Sequence, residues 1–175
     1  MQQTVETVSA DQFKRAFRNH PAGVAVVSAS VDGDRAALTV SSLSSLSAEP
    51  PLLVFSVSDM SSSTPVVLAA KTVVVHMLDA NCAWLAKLGA ERGADRFSDA
   101  NRWAIFPEGE PFFVDAPVVI RARVVDHVRA GSSTLCIVEA IEIVDRDAAE
   151  SDSGRPLVYH NRTWHELGPG STLTC

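Results

Sequence analysis

Residues 116–145 read "APVVIRARVVDHVRA" and then "GSSTLCIVEAIEIVD", two long β-favouring runs interrupted only around Gly131. Runs rich in Val and Ile, with one turn residue between them, are the signature of a hairpin. The same grammar recurs along the chain. "GVAVVSASVDGDRAALTVSS" is two strands around Asp32-Gly33, "PPLLVFSVS" is a third strand, "TVVVHML" a fourth, and "RPLVYHNRTWHEL" a final pair with its turn at Asn161-Arg162. About seven strands in hairpins require a sheet that protects its edges, and the architecture expected is mainly β, an antiparallel barrel.

Helical signals are few and peripheral. Ser9 and Gln12 form a capping-box pattern ahead of Phe13, Ala16 and Phe17, which share one helical face. "SSSTPVVLAA" places Pro65 at a first helical position, so a short helix is expected from about Thr64. "DANCAWLAKLGA" reads as a helix with Asp79 at its start, Gly89 near its stop and Trp84 on its core side. Glu91 to Pro111 has weak periodicity and several turn residues; it is expected to be a loop with one helical turn, and a candidate functional loop.

With 175 residues, 46% of them hydrophobic, the chain can bury one core, and nothing marks a domain boundary. A single domain is expected over residues 1–167, with 168–175 a disordered tail. A net charge of −6 offers no general attraction for nucleic acid or anionic membranes. No apolar run has the length of a membrane helix and the start lacks a signal-peptide layout, so a cytoplasmic protein is expected. The three cysteines are too few and too widely spaced for a disulfide framework or a zinc site; Cys82 and Cys136 read as buried thiols and Cys175 as a thiol on the tail.

Several chemistries are excluded by inspection. There is no glycine-rich dinucleotide fingerprint, no phosphate loop ending in Gly-Lys-Ser/Thr, no nucleophile elbow, and no histidine spacing suited to a metal. What stands out is "LTVSSLSSLSAEPPLLVFSVSDMSSSTPVV", residues 38–67, which holds ten serines. Serines at strand ends ordinarily cap and turn, but hydroxyls beside unpaired backbone N–H groups also suit an anion, with Arg96 as a candidate counter-charge.

"FRNHPAGVAVVSA", "LTVSSLSSLSAEPPLLVFSVS", "SSSTPVVL", "DRFSD" and "GRPLVYHNRTWHEL" resemble, in order and spacing, the flavin reductase family. Its fold is an FMN-binding split barrel, and its members include the small reductases of two-component flavin monooxygenases. The resemblance covers residues 12 to 167. It implies a homodimer that passes hydride from NADH or NADPH to FMN or FAD and supplies reduced flavin to a partner monooxygenase. It maps the flavin ring to Thr39, Val40, Ser41 and Ser42, the phosphate to Ser61, Ser62, Ser63 and Thr64, and adds Arg96 and Phe97 from the connecting loop. No side chain is required as acid or base, so no catalytic residue is expected.

The chain also departs from the family. Where many members carry Gly-Asp-His before the penultimate long strand, this chain has Gly131-Ser132-Ser133. A family glycine is replaced by Val138, and a frequent asparagine by His76, which becomes a further candidate flavin contact. His127 and His160 are candidates to replace the missing imidazole, and Trp103 is either a stacking ring or a loop anchor. Without that histidine, an alternative is a flavin-binding protein that oxidises NAD(P)H poorly. A pyridoxamine-phosphate-oxidase-like split barrel shares the architecture but matches these segments less well.

Overall fold

Backbone with positive φ sits at each of the three hairpin turns expected from the sequence: Asp32 and Gly33 at 51° and 91°, Gly131 at 62°, Asn161 and Arg162 at 49° and 64°. Two successive left-handed residues form the tight turn whose twist matches that of paired strands. The computed structural model describes residues 7–146 and 154–173. Its first elements are α1 (Ala10–Arg18), β1 (Ala22–Gly23), β2 (Ala25–Val31), β3 (Asp34–Val40), β4 (Ser44–Ala48), β5 (Pro51–Ser58) and α2 (Thr64–Ala69). There follow β6 (Thr72–Met77), α3 (Ala83–Ala90), β7 (Trp103–Ile105), β8 (Pro111–Phe113), β9 (Val118–Ala130), β10 (Ser133–Asp145), β11 (Leu157–His160) and β12 (Thr163–Glu166).

Seven strands form one antiparallel sheet in the order β3-β2-β6-β9-β10-β5-β4. Its two ends approach one another: Ser42, just after β3, accepts a hydrogen bond on Oγ from the backbone N–H of Ser56 in β5, at 2.9 Å. The sheet therefore curls into a barrel that is not continuously hydrogen-bonded. Register shifts between Ile137 and Val138 and between Ala140 and Glu142 bend the β9–β10 hairpin around it.

The apolar runs in β2 and β6 have no polar alternation because both faces are covered. Val27, Ala29, Val73 and Val75 point into the barrel with Phe55, Val57, Ala122 and Val138, and α2 plugs it with Val67. Val26, Val74 and Val119 belong to a second core outside the sheet, where Leu85 and Ala86 of α3, Phe106, Phe113 and Leu157 cover them. Each fully buried Val or Leu contributes about 1.5–3 kcal/mol against exposure, so this second layer is a major part of the stability. It also fixes α3 against β3, which places the site.

Asp79 starts the α3 region as expected, accepting from Cys82 N–H at 3.0 Å on Oδ1. α1 has its capping box, with Gln12 N–H donating to Ser9 Oγ. Three features differ from the sequence reading. β4 is an additional strand, a Ser-rich edge held by pairing with β5. The segment read as a loop contains β7, which pairs with β8 in a small separate sheet. Three residues carry too little pattern to reveal a strand whose partner lies beyond a turn. The tail, expected to lack structure, makes a single 3-10 turn over Pro169–Ser171. Cys82 and Cys136 are buried, and Cys175 lies outside the described residues.

Candidate functional site

The Ser-rich block is divided by the fold. Ser41 and Ser42 follow β3, whereas Ser61 and Ser62 follow β5, and the two pairs open onto different cavities. The first cavity, about 790 Å³, lies between Ser58–Ser62 on one side and Gly89–Gly93 with Arg96 on the other. A middle cavity of about 200 Å³ is lined by Val24, Thr39, Ser41, Ala90, Tyr159 and Trp164. A third, about 550 Å³, separates α1 from Ser41, Ser42 and the β11–β12 turn. Ala90 is shared by the first and middle cavities, and Ser41 and Tyr159 by the middle and third, so the three form a row.

Thr39 anchors the middle of this row. Its hydroxyl donates to the Ala86 carbonyl of α3 at 2.7 Å. α3 can come this close only because residue 89 is glycine: a Cβ there would lie 2.4 Å from Thr39 Oγ1. Val40 has its side chain in the barrel core, 4% exposed, so only its backbone is available to a ligand.

In the first cavity the hydroxyls divide again. Ser61 and Ser62 line it, but Ser63 Oγ donates to the Ala37 carbonyl at 2.9 Å and Thr64 Oγ1 to the Ser58 carbonyl at 2.6 Å. Those two are buried and serve to dock α2 on the barrel. The Arg96 guanidinium grips its own loop through the carbonyls of Ala94 and Glu91, while its Nε is buried without a partner among the described residues. A buried donor left unpaired is costly, and Arg96 borders a cavity where Ser61 and Ser62 stand beside Asp59, Glu91 and Arg92.

Phe97 does not line the row. Its ring stacks on Phe113 with centroids 5.5 Å apart and meets Trp103 edge-on at 5.2 Å, so it anchors the 91–102 loop to the outer core. Trp103 is a loop anchor as well, donating its indole N–H to the Phe97 carbonyl at 2.9 Å and lying under Arg35. Trp84 packs against the outer core.

His76 as a direct ligand contact is corrected by the structure. It is fully buried; Nδ1–H donates to the Val26 carbonyl at 2.9 Å, and Nε2 accepts from Phe113 N–H at 3.0 Å. Burial drives its pKa down to about 4, against the raising effect of the Val26 carbonyl, so the ring is a neutral strut between β2, β6 and β8. Ser133 pairs with Ser58 at the end of β5, beside the first cavity, and brings no imidazole there. His127 lies on β9 opposite Cys136, and His160 rests near His165 with ring centroids 5.8 Å apart; neither lines the row.

Sequence reasoning missed Tyr159 and Trp164, whose rings lie 4.7 Å apart on the middle cavity, together with the aromatic face of α1. The available signal was the Asn161-Arg162 turn: its hairpin register sets Tyr159 directly across from Trp164. Among the described residues no group of three His, Cys, Asp or Glu side chains is arranged for a metal, and no helix is long and apolar enough to cross a membrane.

Comparison with known proteins gives a consistent result. The family model described as a flavin reductase like domain matches residues 17–168. The chain is 34% identical over 165 residues to an NADH:FMN oxidoreductase of Rhodococcus erythropolis, covering 93% of this chain and 84% of that protein. It is 24% identical over 168 residues to the reductase component of a 4-nitrophenol 4-monooxygenase/4-nitrocatechol 2-monooxygenase of Rhodococcus opacus, covering 96% and 86%. The crystal structure of a flavin reductase domain protein from Arthrobacter sp. FB24 superposes with a TM-score of 0.83 at 28% identity, covering 92% of this chain and 97% of that one.

Proposed function

Because the chain belongs to the flavin reductase like domain family, we propose that it is an NADH-dependent flavin reductase that uses FMN and hands reduced flavin to a partner monooxygenase. When bound, the flavin supplies the chemistry, taking up a hydride equivalent from the dihydronicotinamide and carrying the electrons onward. The protein's part is to bind, orient and shield.

The residues present fit that group. Ser61, Ser62 and Arg96 would hold the phosphate, and the convergence of an arginine and two hydroxyls on one cavity is the observation that carries the assignment. The neighbouring middle cavity, walled by Thr39, Ser41, Tyr159 and Trp164, suits a flat ring system with polar edges. Thr39 keeps α3 against this wall and so narrows the cleft, and the two aromatic rings exclude water from its floor. Val40 contributes backbone alone, and Ser63 and Thr64 position Ser61 and Ser62 by fixing α2.

The protein acts as a homodimer. In support, Val125 and Val128 of β9 and Leu135, Ile141 and Ile143 of β10 are all at least 36% exposed, more apolar surface on one hairpin than scattered surface residues present.

Purified protein mixed with NADH and FMN should lose absorbance at the dihydronicotinamide band catalytically. Failure of NADH and NADPH with FMN, FAD and riboflavin alike, by folded protein, would overturn the proposal. The Ser133 position favours a second reading, a flavin binder with little NADH turnover. That protein would copurify with flavin yet pass this assay only at background rate.

A further inference from the structure

β7 and β8 have three residues each and form a sheet of their own, and a two-stranded sheet of that size does not hold its place unaided. Two fully buried barrel side chains tie its backbone down. Ser28 Oγ of β2 donates to the Pro111 carbonyl at 2.5 Å, and His76 Nε2 of β6 accepts from Phe113 N–H at 3.0 Å. The His76 ring is fixed from behind by its Nδ1–H on the Val26 carbonyl, and it meets the Phe113 ring edge-on with centroids 5.4 Å apart. One imidazole therefore spans three strands and sets both the backbone and the ring of Phe113.

From Phe113 the contacts continue to the site. The Phe97 ring lies within 13° of parallel to that of Phe113, and the Phe97 carbonyl accepts from the indole of Trp103, which pairs with Phe113 across the small sheet. Phe97 and Arg96 share a turn that closes on itself. Phe97 N–H donates to Asp95 Oδ1 at 3.0 Å, Ser98 Oγ donates to the Asp95 carbonyl at 3.2 Å, and the Arg96 guanidinium donates to the Ala94 and Glu91 carbonyls. Bonds of this kind keep a turn's shape but not its place on the protein, and the Phe97 ring supplies the place. Where that ring lies decides how far Arg96 stands from Ser61 and Ser62 across the first cavity.

We propose that His76 is a positioning residue for the flavin phosphate: through Phe113 and Phe97 it fixes the turn that carries Arg96 and holds that arginine at the cavity shared with Ser61 and Ser62. The assignment rests on the reading of this cavity as the phosphate site. It gives a role to a buried polar ring that touches no ligand. An aliphatic side chain would fill the outer core without the cost of burying two ring nitrogens, and one of the two bonds that offset that cost ends on β8.

The test compares FMN with riboflavin, which lacks the phosphate, by fluorescence titration of the full-length protein. Asparagine at position 76 puts its amide where Nδ1 stands and keeps the bond to the Val26 carbonyl, but it leaves Phe113 N–H without an acceptor. His76→Asn should therefore weaken FMN about ten-fold and riboflavin less than about two-fold, the loss of one buried hydrogen bond passed to one group of the ligand. His76→Gln, whose longer side chain carries a carbonyl oxygen to the Nε2 position, should restore FMN to within about three-fold of the parent. In an Arg96→Ala background His76→Asn should leave the ratio of the two affinities where it was, since no guanidinium remains to be placed. Phe97→Leu, at a half-buried position, breaks the same relay without disturbing the buried imidazole and should show the same selective loss. Equal weakening of both flavins, an unchanged ratio in folded His76→Asn or Phe97→Leu, a glutamine no better than asparagine, or an undiminished effect without Arg96 overturns the inference. A parent that prefers FMN through Arg96 keeps the phosphate reading intact in each of those cases. If the parent binds FMN no more tightly than riboflavin, the reading and the inference fall together.

Discussion

Gly89→Ala sets local preference against packing. Residue 89 is in α3, where alanine is favoured over glycine by about 1 kcal/mol, so helix propensity alone predicts stabilisation. The added Cβ would stand 2.4 Å from Thr39 Oγ1 and 3.0 Å from Thr39 N. The hydroxyl can rotate away, but it then gives up its bond to the Ala86 carbonyl, worth about 1 kcal/mol. The β3 backbone cannot rotate, so α3 must lift from the strand, and overpacking of this kind costs about 1–3 kcal/mol. Packing wins: the net expectation is destabilisation by about 1–3 kcal/mol, a fall in Tm of about 2–12 °C for a chain of this size. Thermal and urea melts followed by circular dichroism measure it. The double variant Gly89→Ala/Thr39→Ala removes the atom at 2.4 Å and should recover part of the loss, a coupling that a double-mutant cycle reports. The variant should also bind FMN more weakly, since the displaced helix carries Ala90 at the junction of two cavities. A Tm raised by Gly89→Ala, or no coupling with Thr39, would refute the account.

Arg96→Ala should weaken FMN binding at least ten-fold while changing riboflavin affinity much less, as titrations with the two ligands would show, because the assigned contact is to phosphate. Arg96→Lys should restore little, since an ammonium cannot reproduce the planar grip on the carbonyls of Ala94 and Glu91 that fixes the loop at the cavity. The pKa of His76 is depressed from 6.5 to about 4, so between these values the unfolded chain binds the proton and the folded one does not. Its contribution, about 3 kcal/mol at most, is complete above pH 6.5 and lost as pH falls toward 4; urea midpoints across that window should show a slope that His76→Gln reduces. Glu110 is buried against Thr72 and Arg121, and Arg121 is itself 14% exposed. Glu110→Ala should therefore cost about 3 kcal/mol in urea unfolding, whereas a change below about 0.5 kcal/mol would show that the pair carries no weight.

Much of the barrel was legible because its signals are local. Turn dipeptides with left-handed backbone, long β-branched runs and a capping box are properties of neighbouring residues, and all three hairpins appear where those signals lie. β4 and β7 were not legible, because a short strand without alternation exists only through its partner. The candidate site was legible in part. Resemblance in order and spacing pointed to Thr39, Ser41, Ser61, Ser62 and Arg96, which do border the row of cavities. It pointed also to Val40, Ser63, Thr64 and Phe97, and the departure from the family pattern at residue 76 added His76; the side chains of all five pack or tie backbone together instead.

The division has one physical cause. Which residues prefer a strand, a turn or a helix start depends on backbone and side-chain energetics within a few positions, and that much the amino-acid order determined unaided. Whether a hydroxyl or an imidazole faces a cavity or a carbonyl depends on which distant segment arrives opposite it. Ser62 and Ser63 are adjacent in sequence and chemically identical. One lines a cavity, and the other meets the Ala37 carbonyl on a strand closed 26 residues earlier, a contact that only the curled sheet brings about.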